Sequence, residues 1–312
     1  MSETRDPRPR RRRLLRTAMG LLVLMAVIGY FAVQRASNGG GGAPFCRADA
    51  DAAGGEGTYE MSPEQAANAA TIVAVGVAKG LPDRAVTIAL ATAMQESALR
   101  NLDHGDRDSL GLFQQRPSQG WGTPEQITDP VYSAGIFYDH LVEVPGYSRL
   151  PLTVAAQKVQ RSGYPQAYAK HEPDATVLTA AFAGGGSVHC GGPAPRGPGD
   201  PEKVRAGLVR IFGKDALHTL PAKPAEAGRE AEVALVEKRD GGEAASRRSR
   251  TMAHWAVAHA KELDISRVSY GARGWVAGKD GGRWRSGGAG TKGSAVDSHQ
   301  AAPGEVRIFL AR

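Results

Sequence analysis

Seventeen consecutive residues without a charge, TAMGLLVLMAVIGYFAV at 17–33, lie between Arg16 and Gln34-Arg35. As a helix rising about 1.5 Å per residue, the run spans roughly 25 Å, the short end of what crosses a bilayer. Residues 1–16 carry seven Arg against Glu3 and Asp6. That excess predicts a basic tail held in the cytoplasm, a single transmembrane helix over 17–33, and a remainder exported to the extracellular side of the cell membrane. The alternative is a cleaved signal peptide, but Gln34-Arg35-Ala36-Ser37 places bulky, charged side chains where a cleavage site wants small ones. The tail also accounts for most of the chain's net charge of +7. The chain beyond Arg35 is nearly neutral and has no surplus for a basic face, so no nucleic-acid partner is expected.

Beyond the apolar run the composition divides the chain. Residues 34–58 are Gly- and Ala-rich without apolar period and read as a flexible stalk. Residues 59–190 are periodic and helix-rich. Residues 191–250 read as a linker, broken by GGPAPRGPGD at 191–200, with one helix at 201–212 opened by Asp200 and Pro201. Residues 251–312 read as a small α+β unit: an amphipathic helix from Met252, then β-like runs at 268–270, 273–276 and 305–310. The expected fold class is a mainly α domain plus a small α+β domain behind one transmembrane helix.

Within 59–190, Ser62-Pro63-Glu64 starts a helix that runs to Lys79 and is closed by Gly80. Leu81-Pro82-Asp83 opens a second that runs through Ser97, with Val86, Leu90, Ala93, Met94 and Ser97 on its packed stripe. Glu96 lies off that stripe, in the last turn, where the negative end of the helix dipole disfavours its charge. A surface glutamate at a frayed helix end is one reading. A carboxyl whose pKa is raised by burial, as a general acid at neutral pH requires, is the other.

Residues 96–116 bear on that choice. Glu96-Ser97 is succeeded, after an acidic loop, by Gly111-Leu112-Phe113-Gln114-Gln115-Arg116. This pattern resembles the lytic transglycosylase and goose-type lysozyme superfamily, with its Glu-Ser pair at a helix end and its Gly-Leu-Met-Gln run some fifteen residues on. The runs Leu-Phe-Gln-Gln-Arg and Gln-x-Val-Gln-x-Ser-x-Tyr-Pro (157–165) are similar to those of actinobacterial cell-wall proteins. In the superfamily's third motif, Ala-Tyr-Asn, this chain departs: Ala155-Ala156-Gln157 stands there and the Tyr is absent. The resemblance covers about 130 residues. It implies a lysozyme-like fold acting on peptidoglycan glycan strands, with Glu96 as the one catalytic acid and base and no cofactor. It implies Ser97, Gln114, Gln115 and Gln157 as substrate-binding residues, with Trp121 able to stack on a sugar face. A non-catalytic wall-binding protein that keeps the cleft is the competing reading, and the absent Tyr is what keeps it open.

A hydrolase would instead hold water with a second carboxylate, and Asp106 and Asp108 are the candidates beside the reading of solvated loop acids. Asp103-His104-Gly105-Asp106-Arg107-Asp108 lacks the spacing of a calcium loop. His254 and His259, five apart on a helix, point to different faces, so no metal is expected. The 251–312 unit resembles a C-terminal domain of secreted actinobacterial proteins, distantly related to zinc carboxypeptidases. Those end in His-x-His on the last strand; here Glu305-Val306-Arg307 stands in that place, which favours binding or spacing over metal catalysis. The two cysteines, Cys46 and Cys190, would both be exported into an oxidising compartment, which predicts a disulfide tying the stalk's outer end to the end of the 59–190 unit.

Overall fold

The computed structural model describes residues 44–50, 57–162, 166–214, 218–219, 230–236, 243–286, 301 and 304–311. The fold is mixed α+β, with eight α-helices and two antiparallel sheets among the described residues. The expected transmembrane helix over 17–33 lies outside them. Among the described residues, no helix is long and apolar enough to cross a membrane.

Two of the three longest helices among the described residues form where the sequence predicts them. Helix α1, Pro63–Ala78, opens on a capping box in which the Ser62 side chain takes the Gln65 N–H and the Gln65 side chain takes the Ser62 N–H. Helix α2, Asp83–Ser97, buries Ala85 through Met94 without a break, so its off-stripe row of small residues is core as well. It ends in two consecutive left-handed residues, Ala98 (φ 51°) and Leu99 (φ 60°). Neither is glycine, so the turn carries backbone strain. Full burial of Leu99 and two amides from α1 hold it. Gln65 Nε2 donates to the Ala98 carbonyl at 2.9 Å, and Asn68 Nδ2 to the Leu99 carbonyl at 2.9 Å.

Four short helices complete this half: α3 Pro124–Ile127, α4 Pro130–Val142, α5 Leu152–Gln160 and α6 Glu172–Phe182. Phe113 stacks on Phe137 of α4 at 4.6 Å between ring centres, and Tyr138 is buried with its hydroxyl donating to the Ile72 carbonyl.

The first sheet overturns part of the stalk reading. Phe45–Asp49 is a strand, β1, lying between β2 (Thr58–Met61) and β3 (Ser187–Gly191), both antiparallel to it. Cys46 sits directly opposite Cys190 in that register and is bonded to it, with an S–S distance of 2.06 Å. The expected disulfide is therefore present. Cys46, Ala48 and Ala50 are buried while Phe45 is half exposed, so a strand too short and polar to stand out is fixed by its two neighbours and the crosslink.

The 201–212 helix is seen as α7, Pro201–Phe212, with Asp200 accepting the Glu202 N–H. The rest of the expected linker is partly ordered. Strands β4 (His218–Thr219) and β5 (Glu230–Val236) join β6 (Ile265–Tyr270), β7 (Arg273–Val276), β8 (Arg285–Ser286) and β9 (Glu305–Ala311) in one six-stranded sheet. Its order is β4-β5-β9-β6-β7-β8 and every pair is antiparallel. The helix before it, α8, spans Glu243–Ala258 and packs between that sheet and α1. His259, just past its end, reaches Thr71 of α1 at 3.4 Å, and Trp255 lies against Gly207 of α7. The residues of 59–190 and of 251–312 thus share one apolar core, running from Ile72 and Val73 through Trp255 to Ile308 and Leu310.

Candidate functional site

Two loops and two helix ends build a cleft of about 990 Å³ around the end of α2. The strained turn after Ser97 reverses the chain and leaves Glu96 half-buried on the cleft wall. Ser97 faces the other way. It is buried, and its hydroxyl donates to the Leu112 carbonyl at 2.8 Å and approaches the Ala93 carbonyl at 3.1 Å. Ser97 is thus a tether between the helix end and the Gly-Leu-Phe-Gln turn, which corrects its expected place among substrate contacts.

That turn is closed by a bridge between Leu110 and Gln115, N to O at 2.9 and 3.0 Å. Gly111 is left-handed (φ 73°), and a Cβ there would collide with the Ile127 carbonyl oxygen, so both conformation and space require glycine. Leu112 and Phe113 are fully buried. They anchor Gln114, whose left-handed backbone (φ 47°) sets its side chain on the cleft wall with Nε2 3.3 Å from the His104 and Gly111 carbonyls. Gln115 borders the cleft but is 1% exposed, with Nε2 on the Ser133 carbonyl at 3.1 Å. Its amide belongs to packing more than to a ligand surface. The left-handed residues Arg107 (φ 58°) and Arg161 (φ 52°) also line the cleft, so backbone strain gathers around Glu96.

The carboxyl has two partners that were not among the expected site residues: Gln160 stands in the Gln-x-Val-Gln run, and Tyr168 lies outside every motif. Tyr168, fully buried, donates its hydroxyl to Glu96 Oε1 at 2.6 Å. Gln160, at the end of α5, donates to the Phe113 carbonyl at 2.7 Å and also hydrogen-bonds the carboxyl. Burial raises the Glu96 pKa above the ordinary carboxylate value, while the bonds from Tyr168 and Gln160 pull the other way. Burial and the neighbouring carboxylate push the Tyr168 phenol up, so it stays protonated and remains a donor.

Trp121 is half-buried on the cleft wall and stacked on His140 at 4.5 Å between ring centres. Gln157 does not reach the cleft. Its Nε2 donates to the Ser162 carbonyl at 2.7 Å and closes the end of α5, where Arg161 turns left-handed. That correction has a plain cause, since a helix end leaves carbonyls that a nearby amide satisfies.

Of the two loop acids, Asp108 is pinned by Arg116 Nε at 2.7 Å and by the Ser118 N–H at 2.9 Å. Those bonds hold its carboxyl far below the usual range. It is a permanent anion organising its loop and borders no part of the cleft. Asp106 does line the cleft and is exposed, and the same holds for Glu143. Among the described residues, no three His, Cys, Asp or Glu side chains gather as a metal site. No family model matches the sequence, and no curated protein matches it either.

The site defines its chemistry by what converges there. Of the three carboxyls that line this polar cleft, Glu96 is the one elevated in pKa and hydrogen-bonded by a tyrosine, while Asp106 and Glu143 are exposed; the ring of Trp121 lines the same cleft. Such a carboxyl can give a proton to a leaving oxygen and take one back.

Proposed function

We propose that this chain is an exported, membrane-anchored lytic transglycosylase that cleaves peptidoglycan glycan strands with Glu96 as its only acid and base. The observation that carries the reading is the raised, Tyr168-bonded carboxyl of Glu96 at the wall of the 990 Å³ cleft. The protonated Glu96 gives its proton to the glycosidic oxygen as the bond from that oxygen to the anomeric carbon breaks. The sugar's own 6-hydroxyl then attacks the anomeric carbon, Glu96 takes the hydroxyl proton, and an anhydro ring closes. Tyr168 steadies the carboxylate between the two steps, and it does so from a different place in the sequence than the absent motif tyrosine. A hydrolytic route through Asp108 has little support, because that carboxylate is already committed to Arg116 and Ser118. Within the same reading, the basic tail and the run at 17–33 hold the enzyme at the outer face of the cell membrane.

The test compares the wild type with Glu96→Gln on purified peptidoglycan. The wild type is expected to release soluble fragments, and the variant to bind the strands while losing about 10²–10⁴-fold in rate. Release by the variant at the wild-type rate would remove Glu96 from the mechanism. Tight binding without release by either protein would mark a wall-binding scaffold instead.

A further inference from the structure

A second cavity, of about 420 Å³, opens where the turn after α6 meets the C-terminal sheet, and it shares no residue with the cleft at Glu96. Its volume falls among those of small-molecule sites, roughly 300–1,000 Å³. Arg250 and Arg273 line it, and no carboxylate among the described residues does. Neither guanidinium is paired with a carboxylate among the described residues. Arg250 is fixed instead by the Gly184 carbonyl at 2.5 Å, with the Ala183 carbonyl at 3.4 Å. Two guanidiniums without a carboxylate partner among the described residues, Arg250 positioned by carbonyls and Arg273 exposed, match an anion of about two charges, the state of a phosphomonoester near neutrality.

The other walls suit a hydroxylated ring. His254 is buried and neutral at pH 7, burial having lowered its pKa to about 4. Its Nδ1 donates to the Phe182 carbonyl at 3.2 Å, which leaves Nε2 as an acceptor. Tyr270 spends its proton on the Ser246 carbonyl at 3.3 Å and so presents oxygen lone pairs. Trp284, half-buried on the wall, is held by its indole N–H on the Val188 carbonyl at 2.8 Å and lies 5.7 Å from the His254 ring. Donors for a phosphate, acceptors for hydroxyls and an aromatic surface thus meet in one cavity. We propose that this cavity is a binding site for a sugar phosphomonoester, separate from the glycan cleft and independent of the activity assigned there.

The experiment is calorimetric titration of the full-length, detergent-solubilised chain with N-acetylglucosamine 1-phosphate, compared with N-acetylglucosamine and with inorganic phosphate. Saturable binding of the sugar phosphate, tighter than either comparison compound, is expected. Arg273→Gln, at an exposed position, is expected to weaken it about tenfold, the scale of one lost charge-assisted hydrogen bond. The variant's melting temperature and its action on peptidoglycan should match the wild type. Absence of saturable binding would overturn the proposal, as would equal affinity of Arg273→Gln. Inorganic phosphate binding as tightly as the sugar phosphate would reduce the site to an adventitious anion only.

Discussion

Burial sets the direction in which Glu96 titrates, and Tyr168 moderates it. Its hydroxyl bonds the carboxylate form, so it lowers a pKa that burial raises. Tyr168→Phe removes that bond, and the Glu96 pKa moves further up. The limb of the pH–rate profile that falls as the acid loses its proton should then shift to higher pH, with a lower maximal rate. A profile unchanged in both respects would show that the tyrosine does not act on the carboxyl. The motifs made Glu96 and Gln114 legible, because a polar residue at a fixed place in a helix end or turn leaves a local pattern. Tyr168 was not legible: it reaches Glu96 across 72 residues, and only the packing of the segment after α5 brings them together. Ser97 and Gln157 were misplaced for a related reason. Motif spacing says that a polar side chain stands near the site, but the nearest unsatisfied carbonyl decides which way it turns.

At the scale of elements, the left-handed pair Ala98-Leu99 sets the direction in which α2 ends and so the position of Glu96. Asn68 of α1 satisfies the buried Leu99 carbonyl. Asn68→Ala leaves that carbonyl unpaired, and a loss of about 1–3 kcal/mol in unfolding free energy is expected by denaturant titration. Activity should fall as well, since the turn is strained and relaxes when its tether goes. A stability loss under about 0.5 kcal/mol, the scale of an ordinary surface change, would show that the tether is not needed. The helices α1, α2 and α7 were readable because caps, prolines and apolar period agreed. Strand β1 was not. FCRAD carries two charges in five residues and lies next to a Gly- and Ala-rich stretch, and its partner β3 is about 140 residues away. The Ala-rich run that becomes β5 was hidden in the same way, since small residues blur a period of two.

For the molecule as a whole, one core joins the helical part to the C-terminal sheet, and two buried histidines sit within it. Burial lowers the pKa of both His254 and His259 to about 4. Such a group adds stability in full above the unfolded value of about 6.5, loses it as pH falls, and adds none below about 4. Each is worth on the order of 3 kcal/mol. Glu96, raised in pKa, acts in the opposite sense, but as a single half-buried group it offsets only part of this. Melting temperature should therefore drop between pH 6.5 and 4, and the drop should shrink in a His259→Gln variant. An equal drop in both proteins would place the acid sensitivity elsewhere. The disulfide acts at the same scale, closing a loop across 144 residues. Its reduction should cost up to about 5 kcal/mol in the chain-entropy account, seen as a lower melting temperature at neutral pH. No change on reduction would mean that the sheet pairing of β1 with β3 holds the loop unaided.

The central claim is that one carboxyl both breaks the glycosidic bond and closes the product ring. Mass spectrometry of the fragments released from purified peptidoglycan by the wild-type chain tests it most directly. The account predicts that the new ends are anhydro sugars, lighter by one water than reducing ends. Fragments carrying reducing ends would contradict it, because water would then be the attacking group and a second carboxylate would have to activate it.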